Sequence, residues 1–262
     1  MYKKYLCLLA LLLSGSLVFA QREMEYLDRG LIAMPDRKGH LFVSWRLLGT
    51  EDPATTFNVY RTTAGKLIKL NPQPVEASTS FMDSTADLSL EHQYTVKAVL
   101  KKKEEKNGAV YTVPANAKPY LSIPLRTPAG YSANDASAGD MDGDGVYEIV
   151  IHMTGRGRDN SQKGITDPPV FQCYKLDGSF LWEINLGKNI REGAHYTQFM
   201  VFDLDSDGKA EIAMKTADGT IDGKGTVIGD STKDFRNEQG YILSGPEYLT
   251  VFDGLTGAEK ST

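Results

Sequence analysis

Two short acidic segments of one design constrain this 262-residue chain more than any other feature. They read Asp140-Met-Asp142-Gly-Asp144-Gly145-Val-Tyr-Glu148 and Asp203-Leu-Asp205-Ser-Asp207-Gly208-Lys-Ala-Glu211. Carboxylates at alternate positions of a tight loop converge on one point, and the glycine lets the backbone reverse so that the glutamate closes the shell. Hard oxygen ligands in that number select calcium, so the segments predict several bound Ca²⁺ ions.

These loops differ from EF-hands. An EF-hand closes with a glutamate at position 12 of its loop and lies between helices, whereas the glutamates here come earlier and the flanks 147–152 and 198–202 read as strands. Metal-free Asp-Gly hairpin turns are the alternative. The predicted ligands are Asp140, Asp142, Asp144, the carbonyl of Val146, Glu148, Asp203, Asp205, Asp207, the carbonyl of Lys209 and Glu211.

Residues 1–20 have the parts of a secretory signal. Lys3 and Lys4 precede a short apolar stretch, and Val18-Phe-Ala20 forms a small-residue cleavage site. A membrane anchor is the alternative, but the apolar stretch is too short to span a bilayer unaided. We therefore predict a secreted or periplasmic protein without a membrane span. After cleavage Cys173 is the only cysteine, which excludes an internal disulfide.

The charge balance argues against a nucleic-acid partner. The formal net charge is -5, and the two acidic loops account for it. No stripe of basic residues interleaved with aromatics is present, and the lysine-rich segment 101–106 reads as a solvated hairpin tip. The length is sufficient for two domains.

Residues 23–126 read as an all-β first domain. Short segments with period-two alternation, separated by turns, suggest an antiparallel sandwich that resembles a fibronectin type III module. A proline-rich stretch from Pro114 onward predicts the connection to a second domain. The predicted strands are His40–Trp45, Thr56–Arg61, Thr79–Asp83, His92–Ala98 and Ala109–Val113.

Residues 127–262 repeat themselves. Each unit has an acidic loop, an apolar strand, a long connection and a strand that ends in an Asp-Gly turn, which is typical of a β-propeller blade. About two blades are present, fewer than the roughly four to eight that close a propeller. We therefore expect the start of a propeller that is incomplete in this chain. Asp218 and Asp222, with Asp230, suggest a further ion site in the second connection.

Three segments of the repeats stand out, 131–145, 189–199 and 213–223, and the last two are long and unusual. Through these segments the chain resembles the large-propeller rhamnogalacturonan lyases, which cut the pectin backbone. The resemblance implies an eight-bladed calcium-binding propeller and cleavage of the rhamnose–galacturonate bond by β-elimination. It also implies a pectic polysaccharide, rhamnogalacturonan I, as partner. We further expect a monomer.

The chain departs from this family after the first repeat strand. Family members place Lys-Trp-Asp or a close variant there, facing the substrate groove, whereas this chain has His152-Met153-Thr154. The lost acidic side chain indicates either altered substrate contacts or a divergent subgroup of the family.

Four residues are candidate contacts to an anionic sugar chain: Asn134, Arg156, His195 and Lys215. A guanidinium such as that of Arg156, or of Arg158 nearby, suits a carboxylate, but both arginines can equally be solvated loop residues. Asn134 can cap a turn instead, and Lys215 can form a surface salt bridge. His195 can be a base, a calcium or sugar contact, or a packing residue.

The sequence therefore predicts a secreted, calcium-assisted rhamnogalacturonan lyase, without naming its base. A cation must neutralise the carboxylate as the adjacent carbon loses its proton. The alternative is a non-catalytic calcium propeller that binds carbohydrate or mediates adhesion. A third hypothesis is a truncated and unstable product.

Overall fold

A computed structural model describes residues 24–159, 161–193 and 197–262 of the chain. These residues form β-strands and no helix, which confirms the all-β prediction. Consequently the described part of the chain offers no helix long and apolar enough to cross a bilayer. The predicted signal segment 1–20 lies outside the described residues.

Residues 32–113 form two antiparallel sheets. One has the strand order β1-β2-β5, and the other has β4-β3-β6-β7 with β8 also paired to β6. All five strands predicted in this region are present within a few residues of their predicted bounds. The strands are β1 (Ile32–Pro35), β2 (Leu41–Ser44), β3 (Thr56–Thr63), β4 (Lys66–Lys69), β5 (Ser80–Asp83), β6 (His92–Leu100), β7 (Lys103–Glu104) and β8 (Ala109–Val113).

The two sheets enclose an apolar core because their strands alternate. Leu41 and Val43 are fully buried, while Phe42 between them is exposed. Trp45 meets Phe57 edge to face at 5.4 Å between ring centroids. Period-two patterning therefore directs one face of each strand to this core.

A buried ion pair lies beside that core. Arg61 pairs with Asp83 at 2.5 Å, and Asp83 also accepts hydrogen bonds from Thr85 and from the hydroxyl of Tyr94. Burial by itself raises the pKa of Asp83, but these hydrogen bonds and the arginine charge together lower it. The carboxylate is therefore retained in its charged form inside the domain.

Residues 132–261 form two further antiparallel sheets. Their strand orders are β16-β15-β12-β11-β10-β9 and β13-β14-β17-β18. The acidic loops join β9 to β10 and β13 to β14, which confirms that they lie between strands. The strands are β9 (Ser132–Gly139), β10 (Glu148–Thr154), β11 (Val170–Tyr174), β12 (Phe180–Asn185), β13 (Phe199–Phe202), β14 (Glu211–Thr216), β15 (Thr220–Ile221), β16 (Val227–Ile228), β17 (Tyr248–Phe252) and β18 (Glu259–Ser261).

The second long connection returns to the first repeat. Its strands β15 and β16 extend the first sheet through the pairing of Asn185 with Ile221. Asn189 holds the same connection by donating to the carbonyls of Asp218 and Lys233 at 2.8 and 3.1 Å. Backbone pairing and one buried amide therefore order much of this connection.

One apolar core joins the two repeats. Ile212 and Phe252 of the second sheet are fully buried together with residues of the first, and each such side chain contributes about 1.5–3 kcal/mol on burial. The buried Trp182 of β12 donates its indole N–H to the carbonyl of Gly254 at 2.7 Å. The turn after β17 is thus fixed against the first sheet.

Candidate metal loops and the adjoining cavity

The first acidic loop brings three carboxylates to one point. One oxygen from each of Asp140, Asp142 and Glu148 lies within 4.8 Å of the others. Asp140 accepts hydrogen bonds from the amides of Gly143 and Gly145, both at 2.8 Å, and Glu148 accepts one from a loop amide at 2.8 Å. Both ends of the loop are tied to its own backbone, which fixes the cluster.

The second loop has the same geometry. Asp203, Asp205 and Glu211 form its cluster, again within 4.8 Å. Asp203 accepts a bond from the amide of Gly208 at 3.0 Å, and Glu211 accepts one from a loop amide at 2.9 Å. The repeated sequence pattern therefore produces one arrangement twice.

A lysine ammonium contacts each cluster. Lys175 Nζ contacts Asp142 and lies 3.2 and 3.8 Å from two further carboxylates of its loop. Lys260 Nζ lies 2.6 Å from Asp205 and 2.8 Å from Glu211. Hydrogen bonds to Asp142 and to Asp205 raise the pKa of these lysines. Because one lysine follows β11 and the other lies in β18, the sequence repeat gives no indication of this pairing.

The clusters suit a divalent cation. The first loop carries four carboxylates, of which Asp142 contacts the ammonium of Lys175, and burial raises the pKa of Glu148 to about 7. A second cation would relieve that cost, and carboxylate oxygens favour a hard ion. The side chains that would hold it are Asp140, Asp142 and Glu148 in the first loop and Asp203, Asp205 and Glu211 in the second.

The other predicted loop ligands lie outside the converging groups. Asp144 accepts the amide of Val146 at 2.9 Å, and Asp207 accepts the amide of Lys209 at 2.9 Å. Both aspartates are exposed, and they stabilise the turn by these local bonds. Ligation by their carboxylates, and by the carbonyls of Val146 and Lys209, stays a prediction.

Asp218 and Asp222 are buried and hydrogen-bonded within the fold. Asp222 accepts three backbone N–H groups at 2.8, 2.7 and 2.9 Å. Asp218 accepts the amide of Asp230 at 3.0 Å and the hydroxyl of Tyr248 at 3.2 Å. In the described part of the chain neither joins a group of three metal-ligating side chains. Ion binding by Asp218 and Asp222 therefore stays a prediction.

A segment preceding β1 lies across both loops. The amide of Asp28 donates to the carbonyl of Gly145 at 2.9 Å. A Cβ on Gly145 would lie 2.9 Å from that amide, and one on Gly208 would lie 2.5 Å from the ring of Tyr26. Both glycines also have positive φ, +87° and +91°. Glycine is therefore required here for backbone conformation and for close approach.

A cavity of about 310 Å³ opens beside β9, next to the start of β13. Its wall contains one of the predicted substrate contacts, Asn134, together with Asp135. No lysine or arginine lines it within the described ranges. The remaining polar and aromatic lining comes from Ser137, His152, Thr197, Gln198 and Phe199.

A buried imidazole–carboxylate pair lies in the wall of this cavity. His152 Nε2 is 2.9 Å from an oxygen of Glu192, and the two side chains are 3% and 1% exposed. The imidazole also stacks on the ring of Phe171, with centroids 4.8 Å apart and planes inclined by 13°. Neither His152 nor Glu192 was predicted as a site residue from the sequence. The signals that could have identified them are the family-like segment 189–199, which contains Glu192, and the departure from the family pattern at His152.

Arg191 rigidifies the loop that carries Glu192. Its guanidinium donates to the carbonyls of Gly164, Gln162 and Gly240 and lies 4.8 Å from the ring centre of Tyr241. One cation thus joins the connection after β10 to the connection before β17. Bonds to carbonyls hold this buried charge in place.

The other predicted substrate contacts do not line the cavity. Arg156 pairs with Asp167 at 3.2 Å, and Lys215 pairs with Glu247 at 3.0 Å. His195 lies outside the described residues. Arg156 and Lys215 therefore both form surface ion pairs. For Lys215, this was the alternative interpretation of the sequence.

Profiles of two protein families cover most of the chain. Residues 117–262 match the family described as rhamnogalacturonan lyase family 11, C-terminal domain. Residues 22–113 match the rhamnogalacturonan I lyases beta-sheet domain.

Individual relatives agree with these matches. Rhamnogalacturonan endolyase YesW of Bacillus subtilis strain 168 is 53% identical over 272 residues, which covers 97% of this chain and 42% of that protein. Rhamnogalacturonan exolyase YesX of the same organism is 53% identical over 253 residues, covering 92% of this chain and 40% of that protein. The structure of Bacillus licheniformis rhamnogalacturonan lyase PL11 superposes with a TM-score of 0.82 at 54% identity, covering 92% of this chain and 41% of that one.

Proposed function

The chain belongs to rhamnogalacturonan lyase family 11, and from that premise we propose that it takes part in cleavage of rhamnogalacturonan I by β-elimination. The observation that carries the proposal is 53% identity to both an endolyase and an exolyase across nearly the whole chain. Because the chain spans about two fifths of those proteins, groups beyond it can contribute to the reaction. Internal and terminal cleavage both remain outcomes to be measured.

The proposed architecture is a fibronectin III-like sandwich over residues 23–126 followed by blades of a calcium-stabilised, eight-bladed propeller over residues 127–262. Two sheets around one core in the first part, and two sheets that each contain an acidic loop in the second, support it. Small-angle scattering of the chain as a monomer, with and without calcium, tests this arrangement. A two-body scattering profile that compacts with calcium is expected.

The cavity beside β9 is the proposed substrate-contact region. Asn134 and Gln198 offer amides, and Ser137 and Thr197 offer hydroxyls, to sugar hydroxyl groups. A bound divalent cation would supply electrostatic stabilisation of a uronate carboxylate. Because the described lining holds no cationic side chain, the galacturonate carboxylate needs such a partner from elsewhere.

Elimination is tested by ultraviolet absorbance. Purified chain is mixed with rhamnogalacturonan I and calcium, and formation of the C4–C5 double bond is followed. A time-dependent rise is expected with rhamnogalacturonan and none with homogalacturonan. No rise from a folded, calcium-loaded chain refutes the activity of this chain.

A carbohydrate-binding role without catalysis is the second candidate. The ion pairs that engage Arg156 and Lys215 favour it, because those cations are not directed to the cavity. Calorimetric binding of pectin fragments without any rise in absorbance would select this function.

We also propose that residues 1–20 are a cleaved signal and that the protein is secreted or periplasmic. N-terminal sequencing of the mature protein tests this, and Gln21 is the expected first residue. Recovery of the intact N-terminus in the cytoplasm would contradict it.

A further inference from the structure

We propose that His152, oriented by Glu192, is the residue that accepts the proton in this chain's lyase reaction. The assignment rests on the proposed function, and it adds a catalytic and a positioning residue that the sequence did not identify. It starts from an imidazole in the wall of the cavity next to Asn134 and Asp135.

The hydrogen bond to Glu192 selects the tautomer that a base requires. A carboxylate accepts, so a neutral His152 donates through the Nε2–H that lies 2.9 Å from Glu192. The lone pair is then on Nδ1. Within the described residues Nδ1 makes no hydrogen bond, since Glu192 and Thr197 both contact Nε2. The ring therefore has one nitrogen anchored by a carboxylate, as in catalytic histidine–carboxylate pairs, and one without a hydrogen bond in the described ranges.

The pair is rigid before any substrate arrives. The imidazole is stacked on Phe171. The amide of Glu192 donates to the hydroxyl of Thr166 at 3.1 Å, and its carbonyl accepts the amide of Arg158 at 3.0 Å. Because both side chains are nearly fully buried, neither has room to rotate away. Such preorganisation favours proton transfer, because the base need not be ordered during the reaction.

The proton transfer balances without another reagent. Nδ1 of His152 takes the proton from C5 of the uronate, and the C5–H electron pair becomes the C4–C5 double bond. The C4–O bond breaks with its electrons on the departing oxygen, which takes a proton from solvent. Nδ1 later returns its proton to solvent. Glu192 stabilises the imidazolium that forms in between.

The charged side chains near the ring are acidic. Glu192 lies behind it, and Asp135 shares the cavity wall. No cationic side chain lines the described part of the cavity.

The experiment compares His152→Gln, His152→Ala and Glu192→Gln with the unaltered chain on rhamnogalacturonan I. His152→Gln should lower kcat by about 10²- to 10⁴-fold with little change in KM. Added imidazole should restore part of the activity of His152→Ala. Glu192→Gln should move the acidic limb of the kcat/KM profile to lower pH, because the imidazolium loses its partner.

A matched control is His92→Gln, which removes a buried, hydrogen-bonded imidazole from the first domain. It should leave kcat unchanged. An active unaltered chain with equally active His152→Gln overturns the assignment while the lyase function stands. Loss of activity in His152→Gln, with no imidazole rescue of His152→Ala and no pH shift in Glu192→Gln, shows a structural pair, which also overturns the assignment. A folded but inactive unaltered chain refutes the proposed function itself.

Discussion

Replacing Lys175 with methionine should tighten binding of a divalent cation to the first acidic loop. Lys175 is 29% exposed, and its ammonium contacts Asp142 and lies near Asp144 and Glu148. A metal that binds these carboxylates must displace the ammonium or tolerate it nearby. Methionine keeps the side-chain length and removes the charge.

The size of the effect follows from the charges. A unit charge and a divalent ion about 6 Å apart repel by about 1.4 kcal/mol at the dielectric constant of water. Removing the charge should therefore lower the dissociation constant about tenfold. The metal-free variant also loses its ion pairs, each worth about 0.2–1 kcal/mol where solvent screens them. Lys175→Met should thus melt earlier than the unaltered chain in chelator and gain more stability from calcium.

Isothermal titration with calcium, after chelation and desalting, measures the affinity, and thermal melts with and without chelator measure the stability. Lys175→Arg keeps the charge and should bind calcium like the unaltered chain. Lys66→Met on β4 controls for the loss of an exposed lysine away from both loops. An affinity of Lys175→Met equal to or weaker than that of the unaltered chain would refute the reasoning.

Three further predictions test other parts of the fold. Gly208→Ala places a Cβ 2.5 Å from the Tyr26 ring at a φ of +91°, and it should lower the free energy of unfolding in urea by about 1–3 kcal/mol. The control Gly225→Ala, at a φ of +85° in open space, should lower it clearly less. Equal losses of stability would contradict the role of the Tyr26 contact. Because folding lowers the pKa of Asp83, the stability that this carboxylate adds to the fold is complete above its unfolded-state pKa of about 4 and is lost as pH falls through the folded value. Asp83→Asn should therefore flatten the loss of stability at acidic pH in pH-dependent melts. An unchanged acidic slope would disprove the assignment. Arg191→Met should expose residues 161–164 and 237–241 to hydrogen exchange, while unaltered protection there would show that its carbonyl bonds are dispensable.

Local patterns were sufficient for the strands and the acidic loops. Alternation in His92–Leu100 directs Tyr94 and Val96 to the core whatever the rest of the chain does. The Asp-x-Asp-x-Asp-Gly spacing likewise forms its cluster from amides and carboxylates of the same loop. Such interactions connect residues close in sequence, so a sequence reader can anticipate them.

Contacts between distant residues were not predictable in this way. Lys175 and Lys260 reach equivalent carboxylate clusters from positions that do not correspond in the two repeats. His152 and Glu192 are 40 residues apart and meet only because β10 and the loop after β12 fold against the same cavity. Arg156 and Lys215 looked available for an anion until the fold placed Asp167 and Glu247 beside them.

The sequence by itself therefore determined the period of the strands, the acidic clusters and the family. Tertiary structure alone decided which charge lies beside which. Coulombic and hydrogen-bond energies depend on separations of a few ångströms in space, and separation along the chain does not fix those distances once strands from different repeats pack together.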